Sequence, residues 1–294
     1  MMIIAGTIPV QDLPLTFGEV KTDGELLSVD GKVFGCMQGT GAMISAALAA
    51  TTYLKLDAPK VLIAGDVGTG KGSREIYQYL IDNIDRLSPQ ILALHYWLPD
   101  MAQTRQLCSV IDNCRQRPVM IADAASMYAA KAAGLAEKFD VFTPDATEIA
   151  FLADPSATHP AYISRHLFET DIRQAPLLAE AAFKNHGAAK MMLIKGSTDY
   201  VFLNGKITAE ISEPNIPEME AIGGTGDTIT GILSTMIYTG LEPEEAAIIA
   251  ARANRMAGKY AGATPASKVK QIIDCFPLVF KDNLCQWSNV CYIK

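Results

Sequence analysis

Residues 223–240 read GGTGDTITGILSTMIYTG, and this stretch decides the fold. Gly223, Gly224 and Gly226 free the backbone to wrap inward, so that successive N–H groups at the start of the following helix can form an anion hole. Asp227 then falls in the first turn of that helix, beside the hole. A carboxylate placed there can take a proton from a hydroxyl while the N–H groups hold a transferring phosphate. It can also serve only as a first-turn acid favoured by the helix dipole, so both readings stay open on this turn alone. A second helix follows, opening on Pro243, Glu244 and Glu245, and both helices are rich in alanine and glycine and should pack closely.

Upstream of this turn, apolar runs of strand length alternate with helical patterns. The runs are GKVFGCM (31–37), KVLIAGD (60–66), QILALHYW (90–97), RPVMIAD (117–123), FDVFTPD (139–145) and KMMLIKG (190–196). Such alternation predicts an α/β fold with a central, mostly parallel sheet covered by helices. Asn204-Gly205, between two short extended runs, predicts a hairpin leading into the glycine turn. The expected organisation is one domain over residues 1–294, with a core over about 29–265 and a tail from about 267 packed on the domain or on a neighbouring subunit. In a sheet of this kind ligands collect beyond the carboxyl ends of the strands.

Composition narrows the partners. The chain has 294 residues, 49% of them hydrophobic, a net charge of -7 and no concentration of lysine and arginine, which argues against nucleic acid or an anionic membrane and for a small ligand. The N-terminus lacks a basic segment, and no long apolar run occurs, so the expectation is a cytoplasmic protein. Six cysteines form no CxxC pair and read as reduced buried thiols, and the four histidines are scattered and receive no role. Small-residue helices and an aromatic tail point to a homo-oligomer.

A second glycine turn competes for the phosphate. VLIAGDVGTGKGSR (61–74) satisfies seven positions of the G-x-x-x-x-G-K-[ST] phosphate loop, but the eighth is Gly72, with Ser73 one place late. The expectation is a structural strand-to-helix turn on the same sheet edge, with Lys71 and Arg74 as candidate auxiliary phosphate contacts. Two further strand ends carry chemistry. VFTPDATEIAFL (141–152) sets Asp145 and Glu148 at the opening of a helix, where Glu148 could equally be a capping-box acid. MMLIKGSTDYVF (191–202) ends a strand with Lys195-Gly196, a cation beside open backbone.

The order D-x-x-E, K-G, G-G-x-G-D resembles the ribokinase-like superfamily, and within it the ADP/ATP-dependent NAD(P)H-hydrate dehydratases. TPDATE (143–148) is similar to that family's T-P-x-x-x-E, IKGSTD (194–199) to its L-K-G loop, PVMIADAASM (118–127) to its strand ending in Asp-Ala, and GTGAMISAALAA (39–50) to its first long helix. The resemblance implies a ribokinase-like sheet with helices on both faces. It also implies an enzyme that repairs hydrated NAD(P)H: ADP or ATP phosphorylates the hydrate hydroxyl, and phosphate then leaves. Carried over, it makes Asp227 the catalytic base and assigns the nucleotide and its phosphates to Gly224, Thr225, Gly226, Lys195, Gly196, Ser197, Thr198 and Asp199. Ala42 and Asp145 would line the substrate pocket, and Glu148 would hold Mg2+ through water. Two departures touch the substrate side: HYWLPD (95–100) replaces the family's G-P-G-L-G turn, and Asp145 stands where the family usually has histidine. They keep open a kinase of a small hydroxyl-bearing metabolite, a sugar or vitamin precursor, and a non-catalytic nucleotide-binding protein.

Overall fold

A computed structural model of the chain, describing residues 1–157 and 174–292, places eleven strands in one sheet. In chain order the strands are β1 (Met2–Ile8), β2 (Thr16–Asp23), β3 (Leu26–Val29), β4 (Lys32–Gly35), β5 (Lys60–Gly65), β6 (Ile91–Leu94), β7 (Val119–Ala122), β8 (Val141–Phe142), β9 (Met191–Ile194), β10 (Asp199–Leu203) and β11 (Lys206–Ile211). Their spatial order is β11-β10-β9-β8-β7-β6-β1-β5-β2-β3-β4. The six strands from β9 to β5 run parallel, and antiparallel meanders extend both edges.

β1, β2 and β3 are absent from the predicted runs, and the expected core start near residue 29 leaves out β1, the most buried of them. All seven of its residues are buried, with β5 on one side and β6 on the other. A strand covered on both faces has no polar alternation to announce it. Its side chains feed two cores: Met2 and Ile4 join one, Ile3 and Ala5 the other.

The first core is covered by α1 (Gly39–Leu54), α7 (Thr225–Tyr238), α8 (Pro243–Tyr260), α9 (Val269–Ile273) and α10 (Phe276–Trp287). The second lies under α2 (Lys71–Leu87), α3 (Met101–Asp112), α4 (Ala125–Ala132), α5 (Ala146–Ala153) and α6 (Ala175–Lys184). The predicted sheet with helices on both faces is therefore observed. Small residues of α1 (Ala42, Ala46, Ala47) let it lie close along α7. The tail packs through Phe276, Val279, Phe280 and Leu284 into the first core. Asn204 and Gly205 both have positive φ, as the hairpin reading requires. Among the described cysteines all are free thiols; Cys36 and Cys108 are buried, but Cys285 is exposed, so the expectation of buried thiols holds only in part.

From β1 the chain reaches β5 on one side and β6 to β9 on the other. This reversal opens a crevice beyond the strand ends, where the loops after β6, β7, β8 and β9 converge on the start of α7. No helix among the described residues is long and apolar enough to cross a membrane.

Candidate active site

The site is assembled from five chain segments. α7 begins at Gly224, whose positive φ of 96° is reached readily by glycine, and its Cα lies against Ala42 and the Met37–Gln38 backbone. No side chain caps this helix, and among the described residues the N–H groups of Gly226 and Asp227 find no acceptor, as expected for donors in a first turn. The Asp227 carboxylate accepts from the Gly39 N–H at 2.7 Å through Oδ2 and pairs with His95 Nε2 at 2.9 Å through Oδ1. Burial pushes Asp227 up, but the His95 bond, Lys195 and the Gly39 N–H outweigh it and hold the carboxyl below its ordinary value. It keeps 18% of its side-chain surface open, enough to reach a ligand.

Lys195, one residue past β9, donates to Asp123 Oδ1 at 2.8 Å, and Asp123 ends β7 with 1% exposure. Burial works against the ammonium charge, yet Asp123, Glu148 and Asp227 together hold Lys195 above its usual range. It stays charged. Asp123 also accepts from Thr230 on α7, which ties the helix start to the sheet. The following Ala124 has a φ of 51°, a strained setting for a residue with a β-carbon and of a kind that concentrates at functional sites. The aspartate of the Asp-Ala strand end is thus a site residue that sequence reading quoted without assigning.

Asp145 and Glu148 form a complete capping box on α5: Asp145 accepts from the Thr147 and Glu148 N–H groups, and Glu148 Oε2 accepts from the Asp145 N–H at 2.8 Å. Burial, then the charge of Asp145, raises the Glu148 carboxyl well above its ordinary value, and Tyr128 donates to its other oxygen. Glu148 is thereby a capping acid whose ionised form is disfavoured by its surroundings. Asp145 lines the cavity it shares with Lys195 and Gly226 rather than the one with the aromatic residues described below.

Two cavities lie near Asp227, one bordered by its neighbour Gly226 and the other by Tyr96, while Asp227 itself lines neither. One, of about 340 Å3, is lined by Lys195, Gly196, Ser197, Thr225, Gly226 and Arg255 among others. Thr198 lines a smaller neighbour of about 180 Å3. The other, of about 530 Å3, is lined by Tyr96, Trp97, Leu98, Met101 and Tyr128 together with Asp66 and Ser73 of the first glycine turn, and among the described residues no lysine or arginine borders it. Burial, then Asp227, Glu148 and Asp123, pushes the Tyr96 hydroxyl up to about 12, which keeps it a neutral donor.

The predicted site residues take different places in this geometry. Ala42 is fully buried beneath Gly224 and lines neither of these cavities. Asp199 borders the cavity of Lys195, and its carboxylate accepts from the Gly196 N–H at 3.0 Å and from the Arg255 guanidinium at 2.8 Å; Arg255 in turn donates to the Gly196 and Ser197 carbonyls, so the pair shapes the 195–199 loop from beneath. Thr225 likewise turns its hydroxyl to the Met219 and Ile222 carbonyls and closes the turn. The histidines were given no role, yet His95 is central to the site; His186 is a surface partner of Glu137, and His159 and His166 lie outside the described residues.

The other glycine turn answers differently. Asp66 Oδ1 accepts from the N–H groups of Gly68, Thr69 and Gly70, and Oδ2 from the N–H and hydroxyl of Ser73. A carboxylate of the chain itself fills the place of a phosphate. At Gly72 an added β-carbon would lie 2.3 Å from the Gly65 carbonyl oxygen, so the hydroxyl residue of a phosphate loop does not fit there.

With this geometry in view, comparison with known proteins is decisive. A carbohydrate-kinase family model described as NAD(P)H-hydrate dehydratase matches residues 97–275. The chain belongs to this enzyme family. An uncharacterized protein of Methanocaldococcus jannaschii is 38% identical over 242 residues, which cover 82% of this chain and 100% of that protein. The ADP-dependent (S)-NAD(P)H-hydrate dehydratase of Nitrosopumilus maritimus is 39% identical over 82 residues, 28% of this chain and 27% of that enzyme. Among solved structures, Bacillus subtilis YxkO superposes with a TM-score of 0.55 at 14% identity, covering 96% of this chain and 91% of that one. The ribokinase-like fold is shared at that level.

Proposed function

We propose that this family member is an ADP- or ATP-dependent dehydratase of hydrated NAD(P)H. The observation that carries the reading is the start of α7, where the partially open Asp227 carboxylate sits beside the unpartnered N–H groups of Gly226 and Asp227. The family match and the similarity to a dehydratase of Nitrosopumilus maritimus supply the substrate.

In this reading the nucleotide lies in the cavity of about 340 Å3, its terminal phosphate against the start of α7 and near Lys195. Asp227 takes the proton of the hydrate hydroxyl as the phosphoryl group arrives, and the N–H groups hold the charge on its oxygens. Phosphate then leaves with its bonding electron pair, a proton leaves the neighbouring ring carbon to water, and the double bond is restored. The oxygen donors of Glu148 and Asp145 suit Mg2+, and the raised carboxyl of Glu148 is what a nearby cation would relieve. When bound, the metal neutralises charge on the phosphates.

A second reading, a kinase of a small hydroxyl-bearing metabolite, is favoured by one observation. The cavity of about 530 Å3 has aromatic walls and, among the described residues, no bordering lysine or arginine, which suits an uncharged ring better than a diphosphate. The discriminating experiment incubates the protein with Mg2+, ADP or ATP and hydrated NADH and follows the reduced-nicotinamide absorbance, with Asp227→Asn as control. Recovery that requires nucleotide and vanishes in the variant supports the dehydratase. No recovery, with nucleotide still raising the melting temperature, overturns it in favour of a kinase.

A further inference from the structure

His95 is fully buried at the end of β6, and both of its ring nitrogens are engaged. Nε2 lies 2.9 Å from Asp227 Oδ1, and Nδ1 lies 3.0 Å from the hydroxyl of Thr40 in the first turn of α1. An ionised carboxylate only accepts, so the proton of this bond belongs to Nε2, and in the neutral ring Nδ1 accepts from Thr40. Tyr96 packs edge-on against the imidazole at 4.8 Å between ring centres and closes it from the aromatic cavity. The charged groups around the ring are Asp227 on α7, Asp123 after β7 with Oδ2 at 3.8 Å, and Lys195 after β9 on the far side of Asp123. β1 and α1 bring Gly6, Gly39 and Thr40 against it, none of them charged.

We infer that His95 is a positioning residue for the reaction: its Nε2–H, fixed by Thr40 on the opposite nitrogen, holds Asp227 aimed at the acceptor hydroxyl while Gly39 holds the other oxygen. The inference rests on the reading of Asp227 as the base. The family model matches from Trp97 onward, so His95 lies outside the matched stretch and in the segment where this chain departs from the expected glycine turn. Two bonds from two elements leave the carboxylate little freedom, and misplacement of a reacting group by about 1 Å costs on the order of 100-fold in rate.

The test compares wild type with His95→Gln, which can return a donor near the Nε2 position, and with His95→Asn, whose shorter side chain reaches only the Nδ1 position. Three readouts are taken on the full chain. In long-range 1H–15N spectra of the wild type, the His95 signal, identified by its loss in the variants, should show the Nε2–H form; an Nδ1–H form overturns the inference. In 13C spectra of the Asp227 carboxyl, identified by its loss in Asp227→Asn, the titration midpoint should rise by about one pH unit in His95→Asn and by less than half of that in His95→Gln. Equal midpoints in all three proteins overturn it. In turnover, His95→Asn should lose roughly 10–100-fold in kcat with KM for nucleotide within about threefold, and His95→Gln should keep more than about a tenth. Equal loss in both variants marks a merely structural histidine and overturns the inference. If His95→Asn does not fold, Thr40→Val replaces it, with a smaller rise of the Asp227 midpoint expected. Should the wild type turn over neither hydrated NADH nor a small alcohol, the proposed reaction fails while the two spectroscopic readouts still decide the role of His95.

Discussion

The two glycine turns of this protein have the same local grammar and opposite contents. Both are rich in glycine, both open a helix, and both present consecutive N–H groups at its start. At 66–73 those donors are taken by the Asp66 carboxylate; at 223–227 the Asp227 carboxylate points away, to His95 and Gly39, and the Gly226 and Asp227 donors remain unpartnered. A glycine-rich turn is therefore an anion site only when the chain does not supply its own anion. Which turn is which depends on where one aspartate points.

The sharpest way to break this comparison is Asp227→Asn, which should lower turnover at least about 100-fold with nucleotide binding retained. Steady-state kinetics with a separate nucleotide titration decides it. Because Asp227 sits below its ordinary value, the activity it supports should persist through neutral pH and fall only as pH drops through that depressed value. An acid limb at or above the ordinary aspartate range contradicts the assigned environment.

A large effect on stability is expected from Lys195→Met, which strands the buried Asp123 carboxylate. Loss of one partner of a buried pair costs about 3–5 kcal/mol, measured by denaturant unfolding. Weaker nucleotide binding should accompany it. Asp66→Asn should also act on stability, by about 1–3 kcal/mol, while turnover changes by less than about tenfold. Five donors depress the Asp66 carboxyl despite its burial, so its contribution is complete above the unfolded value and disappears as pH falls through the lower folded one. The wild-type advantage over Asp66→Asn should shrink on acidification in that window. A turnover loss matching that of Asp227→Asn would mean that the first turn holds the phosphate after all.

Smaller still is the effect of Lys71→Ala, which should keep more than about a tenth of activity, since Lys71 is exposed and its nearest anion is Glu75 at 4.0 Å. The smallest effect has the opposite sign. Glu148→Gln keeps an acceptor for the Asp145 N–H but removes a carboxylate whose folded value is raised, so the ligand-free protein should melt about 1–3 °C higher. Folding favours the protonated form of this carboxyl, so its stabilising contribution is present at low pH and lost as pH rises through the folded value. The variant's advantage should accordingly grow with pH over that range.

Much of the molecule was legible in order along the chain. Strand-length apolar runs separated by helical patterns implied the parallel sheet, and Asn204-Gly205 implied its edge hairpin, because these signals are local. β1 escaped for the reason that makes it central: burial on both faces erases the two-residue period. Asp227, Lys195 and Glu148 were legible because each stands beside a glycine or a cap at a strand or helix boundary. The burial of Ala42 and Asp199 was not legible, because motif position does not say which way a side chain turns.

What the sequence by itself determined is the succession of elements, the parallel sheet and the shortlist of glycine, acid and lysine positions from which a phosphate site is made. Tertiary structure alone decided which of them meet. Asp227 stands 132 residues from His95, and Lys195 72 from Asp123. Only the convergence of four strand ends on the start of α7 brings them within hydrogen-bond range, because pairing across such separations is set by strand order and helix packing and leaves no local trace in the chain.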